Sequence, residues 1–338
     1  MVRFVTGIVL VIAGGSVAWA APLRARMGDQ NRTVMQVMGI DAAGRIRLRP
    51  EATDAGEALL PLDKARDLRF ILPDDYREAQ QLIFAGRHGE ALLRLRRIVP
   101  ELVPYAGIAG SNAVPVVRRY FRLLVSEGEW ADALAVASSL PFGEAETDFV
   151  PEIVGLARAL QAQKRMKDVA WLLERLPLDT SAGAHRALVW ELADEMRREG
   201  FWAESQTIYQ RLRGAAAETE QLSLDLLLAY TDWHQGSDLR ASALVTMAEM
   251  PTTNAGDGAL FRLLAGRVRL AQDDPAGALD VLSEGLIGID GASEWRVELT
   301  AVMASAYRET GDDDIAAGIE RDLRRLYPDS RWLPHSPD

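Results

Sequence analysis

From Asp74 to Tyr327 the apolar positions recur with the period of a helix, and the pattern is interrupted at nearly even intervals by a short polar turn. The turn positions are Gly86, Gly128, Lys164, Gly200, Gly236, Asp273 and Gly311, spaced by 42, 36, 36, 36, 37 and 38 residues. Five residues after each turn lies Ala91, Ala133, Val169, Ser205, Ala241, Ala278 or Ala316. Seven residues before each lies Ala79, Phe121, Ala157, Ala193, Ala229, Gly266 or Ala304. Two antiparallel helices approach closely only where a small side chain faces the partner, and a left-handed residue ends the first helix of each pair. The spacing therefore predicts seven helical hairpins. A single hairpin cannot bury its apolar face alone, so neighbours must stack.

The stretch from Arg32 to Leu72 follows a different period. Arg45-Ile46-Arg47-Leu48-Arg49 alternates polar and apolar as a half-buried strand does, and Val34 to Ile40 and Leu68 to Leu72 are also strand-like. Asp41-Ala42-Ala43-Gly44 reads as the turn joining the first two. About forty residues bury too little core to stand alone. Three to five short strands packed on the first helices are expected, either as a cap on the array or as a docking module, with a small SH3-like or Sm-like barrel as the suggested shape.

At the N-terminus, Arg3 precedes the apolar run Phe4 to Val17, and Ala18-Trp19-Ala20 places small residues where an export signal is cut. The expectation is a signal peptide over 1–20 with cleavage after Ala20. The alternative is an uncleaved anchor with the body outside the cytoplasm, although the run is near the lower limit of about 17 residues for a membrane span. The predicted organisation is a signal over 1–20, a linker over 21–31, a β cap over 32–73, a helical array over 74–327 and a flexible tail over 328–338.

Leu299 to Pro328 reads LTAVMASAYRETGDDDIAAGIERDLRRLYP, and Gly128 to Leu134 reads GEWADAL. Here the chain resembles the tetratricopeptide repeat family. The last unit carries a small residue (Ala304), a tyrosine (Tyr307), a turn glycine (Gly311), a second-helix alanine (Ala316) and a closing proline (Pro328) in the family's order. The period is longer than the family's, the early tryptophan is missing, and the third and sixth units lack the turn glycine. The resemblance implies a mainly all-α fold, a right-handed solenoid whose first helices line a concave face, and a role in holding proteins or peptides.

Composition narrows the function. The formal charge is −11, which disfavours nucleic acid and anionic lipid as partners. Cysteine is absent, so disulfides and thiolate metal sites are excluded. The four histidines, His88, His185, His234 and His335, show no metal-ligand spacing, and only His234, beside Trp233, invites scrutiny. There is no P-loop, GxSxG or GxGxxG. Gly311-Asp312-Asp313-Asp314 is a turn followed by acids favourable at a helix N-terminus, not a calcium loop. No cofactor, metal or catalytic centre is expected.

Lys64, Lys164 and Lys167 are the only lysines, so the basic residues are nearly all arginine. Counting back from each turn along the first helices places Arg118, Arg122, Arg158, Arg197, Arg267 and Arg308 on one face, with Trp190, Tyr230 and Trp233 as aromatic anchors. These residues would form a groove gripping an acidic or carboxyl-terminal peptide through guanidinium forks. The competing reading is a solvated face on which each arginine pairs with a nearby acid. An insertion within Val103 to Asn112 adds a loop containing Tyr105, Ser111 and Asn112, which either binds a partner or serves as a connector whose Ser111 or Asn112 caps the next helix. The expected function is a non-catalytic, exported envelope scaffold for a protein or peptide. The alternative is an accessory subunit binding polysaccharide or peptidoglycan through Trp and Arg.

Overall fold

The structure is a computed structural model describing residues 23–27, 33–51, 56–66, 68–142, 148–176, 178, 183–247, 255–287, 289–291 and 293–333. The expected export segment over 1–20 lies outside the described residues. No helix among the described residues is long and apolar enough to cross a membrane. The chain divides into two units, Met1–Leu160 and Gln161–Asp338.

The first unit opens with five strands: β1 (Arg24–Met27), β2 (Met35–Ile40), β3 (Arg45–Pro50), β4 (Ala58–Pro61) and β5 (Leu68–Phe70). They pair antiparallel in the order β4-β3-β2-β1-β5. The alternation in β3 turns Ile46 and Leu48 into the core and leaves Arg47 and Arg49 to share Glu57 at 2.9 and 3.0 Å. The Asp41 carboxylate accepts from the backbone N–H of Ala43 and Arg45, both at 2.9 Å, and shapes the β2–β3 turn. β1 falls in the segment read as a linker. Its four residues, Arg24-Ala25-Arg26-Met27, do alternate polar and apolar with Ala25 buried, but the run is too short to mark a strand by itself.

Helices α1 (Asp74–Phe84) and α2 (His88–Leu95) follow, then a short α3 (Val99–Leu102), α4 (Ala113–Ser126) and α5 (Trp130–Ala137). Next comes α6 (Val150–Ala162), which ends just past the unit boundary. The insertion between the first two hairpins is structural. Tyr105 is buried with its ring centroid 5.0 Å from that of Phe70. The Asn112 amide accepts from Phe70 N–H (2.8 Å) and donates to Phe70 C=O (2.9 Å), mimicking one rung of a ladder on edge strand β5. The Ser111 hydroxyl accepts from Ala113 N–H (3.1 Å) at the start of α4. The loop thus fastens the sheet to the second hairpin.

The second unit contains α7 (Met166–Arg175), α8 (Gly183–Glu199), α9 (Trp202–Gly214), α10 (Glu218–His234) and α11 (Leu239–Met247). It continues with α12 (Ala255–Ala271), α13 (Pro275–Ile287), α14 (Arg296–Thr310) and α15 (Asp313–Leu326). Taken in chain order, the described helices apart from α3 pair as seven hairpins, with α3 as an extra turn of helix. Ala91, Ala133, Val169, Ser205, Ala241, Ala278 and Ala316, one in each second helix, are all completely buried. Gly266 shows why the partner position must stay small. A Cβ there would lie 2.6 Å from Leu282 on the facing helix.

All seven turn positions adopt positive φ: Gly86, Gly128, Gly200, Gly236 and Gly311, and also Lys164 (57°) and Asp273 (59°). These two are the only non-glycine residues with positive φ among the described residues. The left-handed conformation costs a non-glycine residue about 1–2 kcal/mol, partly offset by the roughly 0.5–1 kcal/mol that glycine loses through unfolded-state freedom. Lys164→Gly should therefore stabilise the protein by about 0.5–1 kcal/mol, and Asp273→Gly by less, because Asp tolerates this region better. Urea unfolding checks this, and a lowered midpoint for Lys164→Gly would contradict it.

Candidate functional site

The first-helix residues picked out by the counting separate into two constellations, one in each unit. In the first unit, Arg118, Arg119 and Arg122 on α4 line an open depression of about 790 Å³ with Gly110, Ser111, Val114 and Pro115. Periodicity puts 118 and 122 on one face, and Glu152 rises from α6 beneath them. Glu152 Oε1 takes Arg122 Nη2 at 2.5 Å and lies 3.2 Å from Arg118 Nε. Arg118 also donates to Asp148 C=O (2.5 Å) and lies over the Phe149 ring at 5.0 Å.

The balance here is cationic. One buried carboxylate serves two guanidinium groups, and Arg122 keeps 68% of its side chain exposed. Arg119 is exposed and has no ion-pair partner among the described residues. Glu152 Oε2 is buried with no hydrogen-bond partner among the described residues. An orphaned acceptor of that kind costs about 1–3 kcal/mol. Arg158 lies half-buried on α6.

In the second unit the arginines are committed to acids. Arg197, at the C-terminal end of α8, is 2% exposed. It donates to Glu294 at 2.7 Å and to Tyr209 Oη at 3.2 Å, and its guanidinium lies over the Trp295 ring at 4.5 Å. Tyr209 in turn donates to Asp194 at 2.6 Å. Tyr230 on α10 is fully buried and donates to Glu298 of α14 at 2.5 Å, while Arg267 of α12 grips the other oxygen of Glu298. Arg308 pairs with Glu320 across the last hairpin. Trp190 and Trp233 are half-buried, and Trp233 lies 5.8 Å from the Arg267 guanidinium. Hence Arg197, Tyr230, Trp233 and Arg267 come together, Arg308 stands apart on its own acid, and Arg118 and Arg122 belong to the other unit.

Burial and mutual charge explain the electrostatics. Burial raises the Asp194 carboxyl pKa, and the Tyr209 hydrogen bond and Arg197 only partly oppose it. Burial works against the charge on Arg197, but Tyr209, Glu294 and Asp194 more than offset it, and the net shift is upward. The Tyr230 hydroxyl is driven up by burial and by Glu298. Replacing one member of such a buried network would strand its partners, at a cost of several kcal/mol.

His234 joins this network through its ring. Its imidazole stacks on Trp202 with centroids 4.2 Å apart and planes at 9°. Nε2 lies 3.1 Å from Arg267 Nη1 and 3.3 Å from Glu298 Oε1. Nε2 thus faces a donor, the Arg267 guanidinium, and an acceptor, the Glu298 carboxylate. Burial lowers the His234 pKa below the ordinary 6.5, and Arg267 and Arg331 lower it further against the pull of Glu298.

Several members escaped the counting from the turns, which covered only the last turns of each first helix. Glu152 and Glu298 lie farther toward the N-termini of α6 and α14, and Glu294 precedes α14. Trp202 opens a second helix, and Arg331 and Trp332 lie in the segment read as a flexible tail. Its described part, up to Leu333, packs against the cluster. Arg331 donates to Arg197 C=O (3.2 Å), and its guanidinium contacts both the Trp202 indole (4.5 Å) and the Trp332 indole (4.3 Å).

No protein-family model matches the chain, and no curated protein matches it. Among solved structures it is similar to the apo form of the quorum sensor NprR from B. thuringiensis, at 10% identity and a TM-score of 0.40, with 76% of each chain covered. It is also similar to the C-terminal part of a TPR repeat-containing protein from Cytophaga hutchinsonii (12% identity, TM-score 0.40), covering 77% of this chain and 100% of that one. A third likeness is to the TPR domain of P58(IPK), at 12% identity and a TM-score of 0.25, covering 76% of this chain and 74% of that one.

The depressed pKa of His234 has a definite sign for stability. The unfolded chain binds a proton that the folded chain refuses, so this contribution is present above about pH 6.5 and is lost as pH falls through the lower folded value. His234→Gln should therefore show a shallower acid loss of stability than the wild type. Urea midpoints of the two proteins between pH 7 and pH 5 test this. A wild-type advantage that grows in acid would contradict a neutral His234.

Proposed function

We propose that this protein is a non-catalytic, exported interaction scaffold of the bacterial cell envelope, and that it holds a partner protein by an acidic segment on the first-helix face of its N-terminal unit. The cationic excess of the α4 depression is the observation that carries this reading. Three guanidinium groups surround a hollow with one buried carboxylate beneath them, in a chain whose overall charge is −11. An acidic protein that gathers three guanidinium groups around one hollow has a surface suited to carboxylates, which arginine forks bind in two-point fashion. The stiff hairpin scaffold holds these forks in fixed positions, which limits the entropy lost on binding. The apolar run and small-residue cut site at the N-terminus support export, with the periplasm as the destination.

Arg119 is exposed and carries no ion pair among the described residues, so reversing its charge should leave the fold intact, and Arg122→Gln keeps a donor beside the buried Glu152. Arg119→Glu with Arg122→Gln should reduce capture of the partner in affinity purification from the native envelope by about tenfold or more, the scale of two charge-assisted contacts. Capture by the wild type should weaken as salt is raised. Undiminished capture by a variant with wild-type thermal unfolding would overturn the reading.

A further inference from the structure

The second unit carries a seat that is already occupied. Beyond the end of α15 the chain turns back, with Ser330 N–H bonded to Tyr327 C=O (3.0 Å) and Leu333 N–H to Ser330 C=O (3.2 Å). A segment that merely capped the last hairpin would rest on α14 and α15. This one reaches α8 and α9, more than a hundred residues earlier. Arg331 donates to the carbonyl of Arg197, which also accepts from Gly200 N–H (3.0 Å), near the end of α8, where the negative end of the helix dipole favours a cation. The same guanidinium packs against two neighbouring indoles, Trp202 at 4.5 Å and Trp332 at 4.3 Å, whose own centroids are 6.5 Å apart. The Trp332 ring in turn lies 5.2 Å from that of His234 and 6.0 Å from the Arg267 guanidinium.

Beneath the segment is a cavity of about 310 Å³. Its floor includes Arg197, Tyr230, Glu294, Trp295 and Glu298, and Asp329 to Trp332 form its roof. The floor belongs to the packed network of the unit, whereas Arg331 stays largely exposed and Trp332 is only half-buried. The receptor side is therefore built without the segment, and the segment is held by a few directional contacts rather than by deep burial. Such contacts are individually weak, which allows exchange with an equivalent chain.

We propose that the cradle formed by Trp202, His234, Arg267 and the end of α8 is a peptide site specific for an arginine followed by a large aromatic residue, and that Arg331-Trp332 is its resident occupant, displaced by a partner segment of the same chemistry. The site is separate from the α4 depression and does not rest on the reading given for it.

The probe is a fluorescent synthetic peptide with the sequence Asp329 to Asp338, titrated by anisotropy against the full chain. The Arg331→Ala, Trp332→Ala double variant should bind it, and the wild type should bind about tenfold or more weakly, because a tethered competitor acts at an effective concentration on the order of millimolar. A peptide with alanine at both key positions should bind neither protein. Adding Trp202→Ala to the double variant should abolish binding, while Trp202→Phe, which keeps a ring, should retain part of it. Circular dichroism melting confirms that each variant folds. No binding to the double variant, equal binding to wild type and double variant, or indifference to Trp202 would each overturn the proposal.

Discussion

Close approach of antiparallel helices is the constraint on which the rest of this structure depends. Each second helix places one completely buried small or β-branched residue against its partner, and each first helix stops in a left-handed residue that lets the chain reverse within a few positions. Enlarging the contact residue creates overlap, as the 2.6 Å approach at Gly266 shows. Overpacking of that kind costs about 1–3 kcal/mol per site. Lys164 and Asp273 accept a strained backbone rather than let the turn change, which indicates how strongly the packing on either side dictates its geometry.

With the scaffold set by that constraint, the first-helix faces are free to differ in chemistry. Around the α4 depression the N-terminal unit gathers three guanidinium groups, two of which share the buried Glu152, whereas the C-terminal unit answers its arginines with Glu294, Glu298 and Glu320. The same residue type thus plays opposite parts. A satisfied buried ion pair holds a network together and has little left to offer a ligand, while an exposed fork over a shared carboxylate retains donors for an incoming one. The aromatic cradle over the C-terminal network adds a third kind of surface, one that prefers cations and rings.

The fold was legible in the sequence because its determinants are local. A helix period, a small residue five positions after each turn and a turn residue with positive φ can all be read from neighbours in the chain. The loop at Val103 to Asn112 was visible as an anomaly of spacing, but its role was not, because Asn112 acts on Phe70, forty-two residues away. The same distance problem hides the site. Arg197 meets Glu294 across ninety-seven residues and Tyr230 meets Glu298 across sixty-eight, and no periodicity links them. Pairing of the arginines was one of the two readings available from composition, but which arginines stay open depends on acids contributed by other hairpins. Strand β1 alternates over only four residues, and the returning segment at Arg331 and Trp332 is shorter still, so neither is long enough to declare itself.

The central claim is that partner recognition belongs to the first-helix faces and not to the outer helices. Site-specific photo-crosslinking in the native envelope addresses it most directly, with a photoreactive residue at Pro115, which lines the α4 depression, and another at Ile287, exposed at the end of α13. The expected result is a discrete protein adduct from position 115 that disappears in high salt, and none from position 287. Adducts of equal yield from both positions, or an adduct from position 287 alone, would contradict it.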